Sequence, residues 1–123
     1  MRLYDDATAR GETFIAPPYF LAEVSSAVYK QLRRDSVSLD DALSLIDEAR
    51  ALAIVQTSPP GIERRAFEIA ARFRMKWIYD AFYVALAEIV GCDLWTADEK
   101  LHETVRAAFP NVRLLTDYSA ATA

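Results

Sequence analysis

Three observations predict an α/β fold, a three-layer sandwich in which helices flank a mostly parallel sheet. Four short β-prone runs alternate with longer stretches of helical periodicity. Gly or Pro stands where several of those stretches must stop. The helical segments between the runs are long enough to act as crossovers, which parallel strands need and antiparallel ones do not.

Taken in order, residues 2–10 read as the end of a helix, with Arg10 in the last turn and Gly11 as a left-handed cap. A brief strand follows over 13–16 and gives way at Pro17-Pro18, where a proline suits the first helical position because its missing N–H would have no partner. From Pro18 to Arg34 the residues Leu21, Val24, Ala27, Val28 and Leu32 mark one buried helix face. Ser38, followed by Asp40 and Asp41, starts a second helix carrying Leu43, Leu45, Ile46, Ala49 and Leu52, so the two pack as a hairpin. A strand over 53–56, a Pro-Pro-Gly stop and a helix over 62–74 come next. The helix 78–90 is strongly apolar and ends at Gly91. A strand over 93–96 leads through Asp98 into a helix to about Phe109, which Pro110 halts. A last strand over 112–115 precedes a polar, alanine-rich tail, 116–123, expected to fray.

At 123 residues and 53% hydrophobic, the chain has the size and apolar content of one domain, read as spanning 1–123. The net charge of −4 supplies no bulk attraction for nucleic acid or an anionic membrane, so any nucleic-acid role needs a local site. A lone cysteine, Cys92, cannot form an internal disulfide, and with one histidine, His102, it excludes the usual four-ligand zinc frameworks. The N-terminus has acids where an export signal would be basic, and the apolar stretch 78–95 is broken by Asp80, Glu88 and Asp93. A soluble, cytoplasmic protein is expected.

In open α/β sheets ligands bind beyond the C-terminal strand ends. That rule selects Glu23, just over a turn into the helix after the first strand, Asp80 in the helix 78–90, and Asp98, two residues past the strand ending at Thr96. Asp80 and Asp98 are also where helix N-termini favour a carboxylate, and capping and cation binding are compatible roles. Glu23 has Tyr19 and Ala27 one turn to either side, and a carboxylate in such surroundings calls for a partner or a cation. Converging carboxylates without Cys or His suit Mg²⁺ or Mn²⁺, and such an ion would serve phosphodiester hydrolysis. Asp93 and Glu99 lie near the same junctions, and Thr96 either orients a carboxylate or bonds the backbone. Arg33, Arg34, Arg72, Arg74 and Lys76 are the local basic clusters, read either as solvated helix ends or as phosphate contacts. Trp77 and Trp95 read as core or interface anchors, Cys92 as a small core residue and His102 as a helix-surface residue.

Three strings combine these residues: APPYFLAEV at 16–24, YDAFYVALA at 79–87 and LWTADEKL at 94–101. Together they resemble the PIN-domain family, and among its members the VapC-type toxins of toxin–antitoxin pairs, over about residues 12–115. The resemblance implies a metal-dependent endoribonuclease, the toxin of a type II pair, with Glu23, Asp80 and Asp98 as acidic site residues around Mg²⁺ or Mn²⁺. It also implies an RNA substrate, a cognate antitoxin and a homodimer. The family opens with a central strand bearing a first acidic Asp, and here Asp5 and Asp6 precede Gly11 too closely to fill that role. Residues 1–11 are therefore read as a remnant of the first helix, with the N-terminal strand missing, through either a late-assigned start or a shortened form. Such a chain is expected to leave the flanking strands facing each other across a gap or closing up, and to bind metal less tightly. The alternative function is a catalytically impaired module that binds an antitoxin or a sibling chain through the 18–52 hairpin.

Overall fold

The computed structural model describes residues 2–118. The chain resolves into two compact units, Thr13–Thr57 on the one hand and Met1–Glu12 joined to Ser58–Ala123 on the other. Its elements are α1 (Arg2–Ala9), β1 (Phe14–Ala16), α2 (Phe20–Arg33), α3 (Leu39–Ala51), β2 (Ile54–Gln56), α4 (Ile62–Arg72), α5 (Ile78–Val90), β3 (Leu94–Thr96), α6 (Glu99–Val105) and β4 (Val112–Leu114). A 3₁₀ turn, Leu115–Asp117, follows β4. The strands form two separate two-stranded ladders, both parallel, as the alternation of strand and helix requires.

In the unit Thr13–Thr57, β1 pairs with β2 in the register Phe14↔Ile54, Ile15↔Val55, Ala16↔Gln56. The Thr57 N–H extends the pairing by donating to the Ala16 carbonyl at 2.8 Å. The intervening crossover is α2 packed against α3. α2 starts at Phe20, two residues later than the sequence pattern suggests. The chain first turns at Pro18-Tyr19, where the Phe20 N–H donates to the Pro17 carbonyl at 3.1 Å, so Pro18 belongs to the turn and not to the helix. α3 is capped as expected, Ser38 Oγ accepting from the Asp41 N–H at 3.0 Å. Burial is thinner than the apolar pattern suggests. On α2, Leu21, Val24, Val28 and Leu32 are only half-buried and Ala27 is exposed; on α3, Leu43 and Leu45 are exposed and Ala42 alone is buried.

The second unit holds most of the core. Ile62, Ala66 and Ile69 of α4 and Ala81, Val84, Ala85, Leu86 and Ala87 of α5 are buried, and the two helices pack together. Ala66, Ala81 and Ala85 put small side chains on those buried faces, which lets the helix axes approach closely. Arg65 of α4 clasps Glu88 of α5 with both nitrogens of its fork, the Nη2–Oε2 bond being 3.0 Å. α5 stops at Gly91, whose φ of +80° lets the Cys92 N–H reach back to the Ala87 carbonyl at 3.0 Å. β3 pairs with β4, Leu94↔Val112, Trp95↔Arg113 and Thr96↔Leu114.

Two boundaries differ from the sequence expectation. α6 ends at Val105, and residues 106–108 form turns before Phe109. A residue before proline is disfavoured in the α region, so Phe109 cannot close a regular helix ahead of Pro110. The segment expected to fray from residue 116 begins within the 3₁₀ turn Leu115–Asp117. Tyr118 donates its hydroxyl to Asp6 Oδ2 at 2.8 Å and meets Trp95 edge-on at 5.4 Å, which fixes the chain to α1 and β3. The remainder of the expected tail, 119–123, lies outside the described residues. No helix among the described residues is long and apolar enough to cross a membrane.

Candidate functional site

β3 supplies the first half of the site because it ends at Thr96 and hands the chain to α6 within two residues. Thr96 Oγ1 accepts the Asp98 N–H at 3.0 Å, and Asp98, in extended conformation, caps α6 by accepting the Leu101 N–H on Oδ1 at 3.0 Å. Thr96 thus bonds the backbone, the plainer of its two readings, and in doing so fixes the loop that aims Asp98. The second oxygen of Asp98 accepts no hydrogen bond among the described residues. Capping therefore uses one oxygen and leaves the other available.

The other half comes from the first turn of α5, which begins directly after an extended Trp77 and places Asp80 near its N-terminus. The Asp80 carboxyl is pushed above the usual carboxylate range, first by the loss of water around it and then by the negative charge of Asp98. Across 17 intervening residues in the chain, Asp80 thus feels the charge of Asp98. Neither forms an ion pair with a cation among the described residues. A pair of hard oxygen donors with uncompensated charge and no thiol or imidazole between them fits a hard divalent cation such as Mg²⁺ or Mn²⁺, and such an ion would relieve the repulsion.

The third predicted acid belongs to the other unit. Glu23 is half-buried in the first turn of α2, with its N–H on the Tyr19 carbonyl at 2.9 Å. Its surroundings are more open than the sequence suggests, since Tyr19, Ala22 and Ala27 are exposed. Among the described residues no three His, Cys, Asp or Glu side chains are grouped closely enough to hold a metal ion.

Asp93 stands at the opposite end of β3 from Asp98 and is engaged by Arg113 at 3.3 Å, so its carboxylate serves the strand pair. Arg113 also lies over the Trp95 ring at 4.4 Å, a role its position on a short strand does not reveal. Glu99 is exposed in the first turn of α6. Cys92 is half-buried, its thiol raised by burial and then by Asp93. His102 is half-buried rather than on the helix surface, with Nδ1 enclosed and unbonded among the described residues. Trp77, read as a core or interface anchor, is 63% exposed. Sequence alone could not settle that, because an aromatic residue ahead of an apolar helix is usually covered.

Parallel strand–helix units with paired carboxylates beyond a strand end define a class of α/β proteins suited to hard cations and phosphate chemistry. Within that class the chain belongs to the PIN domain family, whose pattern matches residues 2–107. It is 33% identical over 112 residues to a VapC ribonuclease of Mycobacterium bovis and equally to Ribonuclease VapC9 of Mycobacterium tuberculosis, covering 88% of this chain and 86% of each relative. To Ribonuclease VapC12 of Mycobacterium tuberculosis it is 30% identical over 95 residues, 77% of this chain and 71% of the relative.

Proposed function

We propose that this chain is an endoribonuclease that hydrolyses RNA phosphodiester bonds with Mg²⁺ or Mn²⁺, and that it is the toxin of a type II toxin–antitoxin pair, restrained in the cytoplasm by a cognate antitoxin and acting as a homodimer. The meeting of Asp80 and Asp98 carries this reading, on a chain whose relatives are named as VapC ribonucleases. Asp80, Asp98 and Glu23 are the proposed ligands. A divalent ion held by these residues would polarise a phosphoryl oxygen and lower the pKa of a bound water.

The remaining work falls to the protein's own groups. Asp98 Oδ1 is committed to the α6 N-terminus and Thr96 to the Asp98 N–H, so the free oxygen of Asp98 is held on a rigid turn. One of the three proposed ligands also orients the attacking water.

RNA cleavage with Mg²⁺ or Mn²⁺ tests the assignment. Asp98→Asn preserves the cap, because Asn caps as well as Asp. It therefore isolates the charge. Loss of at least about 100-fold in rate is expected for Asp98→Asn and Asp80→Asn, in line with removing a preorganised charged group. Unchanged cleavage in both variants would sink the assignment. The second proposed reading is a binding module with impaired catalysis. Calorimetry with Mn²⁺ separates the two, since the absence of binding at millimolar Mn²⁺ leaves the module.

A further inference from the structure

Residues 72–79, RFRMKWIY, lead from the end of α4 into α5 and carry three cations and no acid in a chain of net charge −4. Phe73 and Met75 are half-buried, Phe73 against Phe109 at a ring distance of 6.2 Å, and they hold the segment to the core. Arg72, Arg74, Lys76 and Trp77 are exposed. None of the three cations forms an ion pair among the described residues. Lys76 Nζ lies 5.5 Å from the centre of the Trp77 ring. Trp77 caps α5 with no side-chain hydrogen bond to the helix, so capping does not explain an indole there, and Asp80 follows within one turn.

A protein partner would have to strip water from Lys76 beside this indole and from Arg72 and Arg74 of the same segment, and interface cores are depleted of charge for that reason. A single-stranded nucleic acid supplies both missing complements. Its phosphates match the cations, and any base can stack on an aromatic face.

We propose that residues 72–79 form the track on which single-stranded RNA approaches Asp80, with Trp77 stacking one base and Arg74 and Lys76 holding the flanking phosphates. This rests on the ribonuclease reading above and makes Trp77 a positioning residue for it. The contact is tolerant of base identity, because stacking and phosphate contacts do not read base edges.

The test is binding of a fluorescein-labelled RNA of 12 nucleotides of randomised sequence, followed by anisotropy in EDTA so that cleavage does not interfere. Trp77→Ala is expected to weaken binding about 5- to 100-fold and Trp77→Phe by less than about 3-fold, as loss and retention of one stacked base. Arg74→Gln and Lys76→Gln are each expected to reduce the slope of log affinity against log salt by about 0.7. A duplex of the same length is expected to bind more weakly, its bases being unavailable for stacking. Circular dichroism of each variant reports folding, and the two Gln variants report independently of Trp77. Wild-type affinity in Trp77→Ala overturns the proposal, as does wild-type protein that does not bind this RNA. Self-association lost in Trp77→Ala with RNA affinity unchanged also overturns it and assigns the patch to a protein interface. Cleavage with Mg²⁺ or Mn²⁺, measured separately on the wild type, decides the ribonuclease reading itself.

Discussion

The two units of the chain are built from similar parts and bury very different amounts of them. In Met1–Glu12 with Ser58–Ala123, α4 and α5 present continuous buried faces, and Ile62, Ile69, Val84, Val105 and Val112 are fully enclosed. In Thr13–Thr57 the strand pair and its crossover helices bury Ala16, Pro17 and Ala42, while Tyr29, Leu39 and Leu43 are each more than half exposed. Helical periodicity alone does not distinguish the two, since both α3 and α4 carry apolar residues at three-to-four spacing. The difference teaches that an apolar stripe is a demand for a partner, and on α2 and α3 several residues of that stripe, Tyr29, Leu39 and Leu43 among them, stay exposed.

The sharpest way to break the comparison is to truncate one side chain from each unit and measure denaturant unfolding. Ile69→Ala is expected to cost about 3 kcal/mol, because it opens a cavity in a packed core. Leu43→Ala, at 54% exposed, is expected to change stability by less than about 0.5 kcal/mol. A loss above about 1.5 kcal/mol for Leu43→Ala would show that the face is covered in solution, and a concentration-dependent loss would make the cover a second copy.

Helix endings sharpen the comparison at about 1 kcal/mol. α5 ends on Gly91 at φ +80°, whereas α2 ends through Asp35, a residue with a Cβ, at φ +56°. The Ser36 N–H still reaches the Gln31 carbonyl at 2.9 Å, so the two caps share their geometry. Gly91→Ala is expected to cost about 1 kcal/mol through backbone strain alone, since nothing lies within 4 Å of the added methyl. Asp35→Gly is expected to gain about 0.5 kcal/mol, part of the relief being lost to the entropy of glycine. Thermal unfolding of the pair checks both signs.

The smallest effect concerns pH. Arg65 holds the Glu88 carboxyl below its usual range through their hydrogen bonds. A folded value below the unfolded value of about 4.3 means the contribution is fully present above that pH and is lost as pH falls through the folded value. Glu88→Gln is expected to flatten that acid limb of the stability profile. The pair is partly solvated, so the change at neutral pH should stay below about 1 kcal/mol. An unaltered acid limb in Glu88→Gln would place the acid sensitivity elsewhere.

Much of this molecule was legible in its residues. Ser38, Gly91 and Asp98 announced their helix ends, because capping is a matter of a few adjacent dihedrals and one hydrogen bond. Parallel pairing followed from the crossover length. The candidate acids were also picked out locally: Glu23 and Asp98 follow strands, whereas Asp80 stands in the first turn of α5 after a helix. What proved illegible was coverage. Ala27 and Leu43 look buried and are exposed, and Trp77 looks like an anchor and faces solvent, because burial depends on what another segment brings to that spot.

The sequence by itself therefore determined the order of elements, their ends and the chemistry available at each junction, all of which are set by neighbours within a few residues. Tertiary structure alone decided which strands pair, that Asp80 and Asp98 share a field, and that Tyr118 ties back to Asp6 across 112 residues. Those contacts join segments far apart in the chain. Their cost in chain entropy is met by the packing of the whole unit, and no local pattern records it.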